Sequence, residues 1–168
     1  MNPAALLDGA PLEEARAALT RCCGSKRWVD GMLARRPFGE VSALFRAADE
    51  VWASADRSDV LEALAHHPRI GADLEELRRR YGSTAQWAAG EQAGAADADD
   101  VTLVALRDGN LRYEARFGHT FVVCATGKSA AEMLALLEAR LQNGTDAELW
   151  IAAAEQAKIT RIRLEKLP

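Results

Sequence analysis

The amino-acid sequence predicts an all-α fold, a single domain over residues 1–168 built as a bundle of about seven to nine helices with one extended inner segment. Helix-start signatures recur, each a Ser, Thr or Asp followed three residues later by Glu or Gln, and alanine- or leucine-rich runs follow them. One stretch is β-prone, and no second strand-like run is present to pair with it. The four signatures are Asp73–Glu76, Ser83–Gln86, Ser129–Glu132 and Thr145–Glu148.

The first half of the chain shows helical periodicity in its apolar residues. The spacing predicts helices over about Leu12–Cys23 and Val41–Ser54, with a short helix around Trp28 and Met32 between them. A further helix, containing Leu64, has to stop where a proline follows two histidines, because the residue before proline is pushed out of the α region.

The second half of the chain contains two further long periodic runs. The aspartates of Asp97–Asp100 are expected to break a helix holding Trp87 and Glu91, and Val101–Phe117 to form one long helix despite Gly109. After Ser129, an apolar face precedes a glycine at the position that would close that helix, Gly144. The residues of that face are Met133, Leu134, Leu137 and Leu141.

The β-prone stretch is Phe121–Ala125, which lies between Gly118 and Gly127. A solitary strand is not stable by itself, so this stretch is predicted to cross the helices as an extended segment. Backbone groups in such a segment are available to a ligand.

Composition limits the possible classes of protein. The chain is 49% hydrophobic and 27% charged, which is typical of a globular domain, and no apolar run is long enough to span a membrane. A net charge of −4 with interspersed signs argues against nucleic acid as the main partner. The three cysteines include no Cys-x-x-Cys pair, and their odd number, together with the lack of a secretory signal, predicts a cytoplasmic protein.

Two of the three histidines, His66 and His67, stand directly before Pro68. An imidazole on a rigid stem at the end of a helix suits proton transfer, since its reference pKa is near 6.5. The plain alternative is a structural histidine held by hydrogen bonds. A metal site needs three or more suitable ligands, and only His119 remains, so no metal is expected.

Four blocks of sequence occur in a fixed order: HHPRIG at 66–71, WAAGEQAGA at 87–95, RFGHTFVVCATGK at 116–128 and KITRIRL at 158–164. Together they resemble the decarboxylases of 2-oxo-4-hydroxy-4-carboxy-5-ureidoimidazoline (OHCU), over essentially the whole chain. The resemblance implies a cofactor-free, all-helical enzyme of urate breakdown, commonly a homodimer, that releases CO2 from its small-molecule substrate to give (S)-allantoin. It also implies a functional link to 5-hydroxyisourate hydrolase and urate oxidase.

The resemblance implies a set of site residues as well. His67 corresponds to the catalytic histidine, Glu91 to the catalytic glutamate and Arg163 to the catalytic arginine, with Arg161 as a second possible register. The alternatives without a catalytic role are that Glu91 is an exposed acidic residue on a helix and that Arg163 lies at the edge of a helix face, with its aliphatic part packed and its charged end in solvent. The substrate-contacting positions implied are Pro68, Ala88, Gln92, Phe121, Val122, Val123, Cys124 and Ala125.

One implied position departs from the family. Where the family usually has serine three residues before the glutamate, this chain has Ala88. A missing hydroxyl hydrogen bond costs about 0.5–1.5 kcal/mol of binding. The substitution keeps two rival functions open: an enzyme of the same scaffold acting on a related ureido or imidazoline carboxylate, and a non-catalytic helical binding module.

Overall fold

The computed structural model describes residues 1–69, 74–79 and 93–168, and side chains only from residue 100 onward in the last range. Every regular element in these ranges is an α-helix, which confirms the predicted all-α class. The helices are α1 (Pro3–Gly9), α2 (Leu12–Cys22), α3 (Lys26–Ala34), α4 (Val41–Ala53), α5 (Arg57–Ala65), α6 (residues 74–79), α7 (Ala93–Phe117), α8 (Ala130–Arg140) and α9 (Thr145–Glu165). Among the described residues, none of these helices has the length and apolar character needed to cross a membrane.

The chain forms two compact units. The first unit contains Met1–His67, Val122–Cys124 and Leu149–Pro168, and the second contains Pro68–Phe121 and Ala125–Glu148. The single domain over residues 1–168 stays a prediction.

The first unit is held by an apolar core in which α1 to α4 meet the end of α9. Trp28 is 2% exposed, and its indole N–H donates to the carbonyl oxygen of Ala48 at 3.2 Å. Trp52 donates in the same way to Ala153 on α9, at 2.9 Å. A second cluster joins α5, α9 and Val122, so the short stretch 122–124 is anchored to these helices.

In the second unit, α7 packs against α8, and a glycine makes the close approach possible. A Cβ atom on Gly109 would lie 2.7 Å from Cδ2 of Leu137. Gly118, with φ of +77°, follows the last residue of α7, and its N–H donates to the carbonyl oxygen of Glu114 at 2.8 Å. The predicted long helix therefore tolerates Gly109 because the missing side chain makes room for Leu137.

Two boundary predictions are wrong. Helix α7 begins at Ala93 and continues through residues 97–100, because the alanines favour helix and Asp100 pairs with Arg78 at 3.1 Å. Helix α8 ends at Arg140, and Gly144 instead precedes α9, where its carbonyl oxygen accepts the N–H of Glu148 at 2.9 Å.

Glu148 also has a role that its spacing from Thr145 does not predict. Its carboxylate is fully buried and accepts hydrogen bonds from Tyr113 (2.5 Å), Arg140 (2.7 Å) and Asn143 (2.9 Å). Burial raises the pKa of Tyr113, so this hydroxyl remains a donor. The carboxylate therefore joins α7, α8 and α9 inside the second unit.

Candidate active site

Helix α5 positions the histidine pair at its C-terminal end. Asp56 and Asp59 form a capping box at its start, the Asp56 side chain accepting from the N–H of Asp59 at 3.0 Å and the reverse bond being 2.9 Å long. At the other end His66 is the C-cap residue, and the backbone N–H of His67 donates to the carbonyl oxygen of Leu64 at 3.1 Å. These hydrogen bonds at both ends of α5 fix the backbone of His67, the first residue after the C-cap.

The His67 side chain, which is half-buried, contacts Gln156 on α9. Its Nε2 lies 2.5 Å from Oε1 of Gln156, whose side chain is fully buried. The amide nitrogen of Gln156 donates to the hydroxyl of Thr160 at 2.9 Å, and that hydroxyl donates to the carbonyl oxygen of Cys22 at 3.4 Å. The imidazole is therefore the end of a hydrogen-bonded row that begins on α2.

The environment lowers the pKa of His67 below its usual value near 6.5. Burial is the main cause of the lowered pKa, since it disfavours the charged imidazolium, and electrostatic repulsion from Arg163 and from the neighbouring His66 acts in the same direction. The hydrogen bond to Gln156 opposes them. His67 is consequently neutral at pH 7 and able to accept a proton.

The two arginines near the C-terminus lie in different surroundings. Arg163 is half-buried, and its Nη1 donates to the carbonyl oxygens of Arg21 at 3.2 Å and Cys22 at 3.5 Å. Arg161 is exposed, with its guanidinium 4.4 Å from the ring centre of Phe45. Only Arg163 of the two acts electrostatically on His67, according to the charges that shift the pKa of that imidazole.

The segment 121–125 lacks regular secondary structure, and its residues have mixed environments. Val122 and Val123 are buried in the first unit, whereas Phe121 packs against Tyr113 in the second, with ring centres 5.2 Å apart. The backbone N–H of Cys124 donates to Oε1 of Glu155 at 3.3 Å, so this group already has a protein partner. Ala125 is exposed.

Of the other four implied site positions, the structure describes one. Pro68 is exposed and follows His67 directly. Ala88, Glu91 and Gln92 lie outside the described residues, so their proposed roles stay predictions.

Sequence reasoning missed Gln156 and Thr160, and also Gly24. Gln156, Thr160 and Arg163 recur at steps of four and three along α9, so they share one helix face, and this polar face was the available signal. Gly24 precedes the N-cap of α3, and a Cβ atom there would lie 2.2 Å from Cγ of His66. No local pattern predicts that approach, because the two residues are distant in sequence.

The fold and this geometry define an all-helical protein with a neutral imidazole and an arginine at one site of the first unit. A family model described as OHCU decarboxylase matches residues 8–165. The chain therefore belongs to the OHCU decarboxylase family.

Curated relatives include proteins of uric acid degradation. The uric acid degradation bifunctional protein TTL of Arabidopsis thaliana is 35% identical over 148 residues, which are 87% of this chain and 45% of that protein. The bifunctional protein PucL of Bacillus subtilis (strain 168) is 28% identical over 135 residues, 78% of this chain and 25% of that protein. The 2-oxo-4-hydroxy-4-carboxy-5-ureidoimidazoline decarboxylase of Xenopus laevis is 40% identical over 65 residues, 35% of this chain and 37% of that protein. The matched stretches of this chain thus cover less than half the length of each of these relatives.

Two solved structures are similar. A crystal structure of OHCU decarboxylase in the presence of (S)-allantoin has 31% sequence identity and a TM-score of 0.71, covering 94% of this chain and 97% of that one. A crystal structure of (S)-allantoin synthase, at 19% identity and a TM-score of 0.67, covers 96% of this chain and 52% of that one and shows the fold alone.

Proposed function

We propose that this chain catalyses the cofactor-free decarboxylation of OHCU to (S)-allantoin in urate degradation. The proposal rests chiefly on the environment of His67 in a chain of this family. The buried Gln156 holds the imidazole through a hydrogen bond, and burial together with the charge of Arg163 keeps it neutral. The neighbouring structure with 31% identity was determined in the presence of (S)-allantoin, which supports the same product.

The reaction needs no oxidant or reductant. The bond between the ring carbon and the carboxylate breaks, CO2 leaves, and the electron pair enters the ring C=N group. The reaction takes up one proton in net, and the neighbouring ring carbon that bears the ureido group gains a C–H bond. Arg163 is proposed to hold the carboxylate through its guanidinium fork, and His67 to act as the general acid–base group. Glu91 and Gln92 are proposed to bind the ureido N–H groups, with backbone groups of 121–125 against the ring.

The experiment compares wild-type protein with His67→Asn, Arg163→Lys and Arg161→Lys, using freshly generated OHCU and following both CO2 and the circular dichroism of allantoin. We expect His67→Asn to lower turnover by roughly 10²-fold or more while the protein stays folded. Arg163→Lys should lose activity because a lysine cannot form the bidentate contact, and the exposed Arg161→Lys serves as the matched control. Full activity in His67→Asn would remove the imidazole from the mechanism.

Ala88 favours one further candidate, a related ureido or imidazoline carboxylate as the substrate. A panel of such carboxylates separates the two, since a shifted specificity would give a higher kcat/KM on a compound other than OHCU. A wild-type protein that leaves the decay of OHCU unchanged and releases no CO2 from the panel would instead support a non-catalytic binding module.

We further propose that the protein is a cytoplasmic homodimer, working with enzymes that act earlier on urate, 5-hydroxyisourate hydrolase and urate oxidase. Cys22, Cys23 and Cys124, all in the described part of the chain, are not joined in a disulfide, which fits a reducing compartment. Light scattering tests the assembly, and the expected mass is twice the 18.2 kDa of one chain. A mass of one chain at micromolar concentration would contradict the dimer.

A further inference from the structure

Cys22, Thr160, Gln156 and His67 form a row of hydrogen bonds in which the chemistry of each group sets which atom donates. It begins at the carbonyl oxygen of Cys22, which can only accept. The hydroxyl proton of Thr160 therefore points to Cys22, and the hydroxyl oxygen is left to accept from the amide nitrogen of Gln156. This orientation turns the amide oxygen of Gln156 toward His67.

An amide oxygen can only accept, so the nitrogen that faces it must hold the proton. The 2.5 Å contact thus assigns the proton of a neutral His67 to Nε2. Gln156 is fully buried and Thr160 is 4% exposed, so water does not compete easily for these groups. Nδ1 is then the nitrogen with the free lone pair, and in the described part of the chain the hydrogen bond of this ring runs through Nε2.

We propose that Gln156, oriented by Thr160, is a positioning residue that fixes His67 in the Nε2–H form, so that Nδ1 is the atom that exchanges a proton with the substrate and begins the cycle as an acceptor. This inference deepens the proposed decarboxylation and rests on it. Nδ1, in its unprotonated state, is then the working atom of the imidazole, and Gln156 acts on the reaction through the imidazole.

The chemistry balances with a single proton cycling at Nδ1. When CO2 leaves, its bonding pair forms a ring C=C bond and the ring nitrogen takes one proton from water. The 4-hydroxyl then gives its proton to Nδ1 and becomes the carbonyl of the product. Nδ1 passes that proton to the neighbouring ring carbon, which bears the ureido group, and His67 returns to its neutral form.

The direct test is nitrogen NMR of protein labelled with ¹⁵N-histidine, which distinguishes the two neutral forms of an imidazole without any substrate. We expect wild-type His67 to be in the Nε2–H form, and Gln156→Met to show a mixture of both forms. Thr160→Val, which keeps the shape of residue 160 but removes its hydroxyl, should also give a mixture, and Thr160→Ser should restore the single form. A wild-type signal from the Nδ1–H form would overturn the proposal.

Kinetics supply the second readout. Gln156→Met should lower kcat at least roughly tenfold, part of the roughly 10²–10⁴-fold that a positioned acid–base group contributes, with KM little changed. Gln156→Glu should keep the Nε2–H form and move the acid limb of the pH profile to higher pH, because a carboxylate stabilises the imidazolium. The exposed Gln142→Met is the matched control and should behave as wild type.

The two proposals fail in different ways. A wild-type protein without activity on OHCU, but with His67 in the Nε2–H form, would contradict the proposed function and leave the assigned proton position standing. Wild-type kcat in Gln156→Met together with a mixed NMR signal would overturn the positioning role, since the fixed form would then be irrelevant to turnover.

Discussion

The pKa of His67 links its burial to both activity and stability. Because burial lowers that pKa below its usual value near 6.5, the unfolded chain binds more protons at this position than the folded protein just below pH 6.5. The free energy of unfolding should therefore fall as the pH decreases through this window, and the stability should be fully present above it.

Urea unfolding at a series of pH values tests this linkage. His67→Asn removes the titrating group, so the pH dependence of its unfolding free energy below pH 6.5 should be flatter than in wild type. Parallel curves for the two proteins would mean that the pKa of His67 is the same in the folded and unfolded states.

The buried carboxylate of Glu148 accepts hydrogen bonds from Tyr113, Arg140 and Asn143. Glu148→Gln removes the charge that neutralises the guanidinium of the buried Arg140, so the protein should lose about 3–5 kcal/mol of stability. The matched control, Glu165→Gln, lies on the same helix, but its pair with Arg161 is half-exposed and 3.5 Å long. That change should cost less than about 1 kcal/mol, and equal losses in urea unfolding would contradict the burial argument.

At the scale of elements, the turn between α2 and α3 binds both helices that contribute to the site, α5 and α9. Cys22 ends α2 and supplies the carbonyl oxygen for Thr160 and Arg163, while Ser25 caps α3 by accepting the N–H of Trp28 at 3.2 Å. Lys26 adds a contact to α5, its backbone N–H donating to Oε1 of Glu62 at 2.6 Å. The start of α3 thus holds α5 in place.

Ser25→Ala should lower the free energy of unfolding by about 0.5–2 kcal/mol, since it removes the cap acceptor of α3 at a buried position. Ser42→Ala is the control, because that exposed hydroxyl bonds to the nearby Glu40 and caps no helix. Its effect should stay within about 0.5 kcal/mol. Indistinguishable urea midpoints for the two variants would show that the cap contributes nothing.

At the scale of the molecule, the first unit gathers three distant stretches of chain: residues 1–67, 122–124 and 149–168. Near the site, the turn at Gly24 lies close to His66, and a Cβ atom on Gly24 would be 2.2 Å from Cγ of His66. A side chain on residue 24 would collide with Cβ and Cγ of His66, and Cβ cannot move without the backbone. Packing at this point therefore also determines the position of His67.

Gly24→Ala should cost about 1–3 kcal/mol through overpacking and should reduce turnover, because displacement of His66 moves His67 with it. Gly9→Ala, at the end of α1 with open space around it, should be neutral or slightly stabilising. Unfolding and turnover measured together check both. Wild-type stability and activity in Gly24→Ala would contradict the close packing.

The sequence by itself determined the helical class, most helix positions and the stop before Pro68, because periodicity, caps and proline act over a few residues. It also pointed to the family through four ordered blocks. It could not assign the aspartates near residue 100, whose helix is supported by the distant Arg78, nor the role of Glu148, whose partners lie up to 35 residues away.

Only the tertiary structure decided which side chains surround His67. Arg161 and Arg163 are two residues apart on one helix, so their sequence context is nearly the same. The packing of α9 on α2 holds Arg163 at the carbonyl oxygen of Cys22, where its charge lowers the pKa of His67, and leaves Arg161 over Phe45. The roles of Gln156 and Thr160 were decided in the same way. Their hydrogen bonds depend on distances between atoms in the folded chain, and the sequence does not contain these distances.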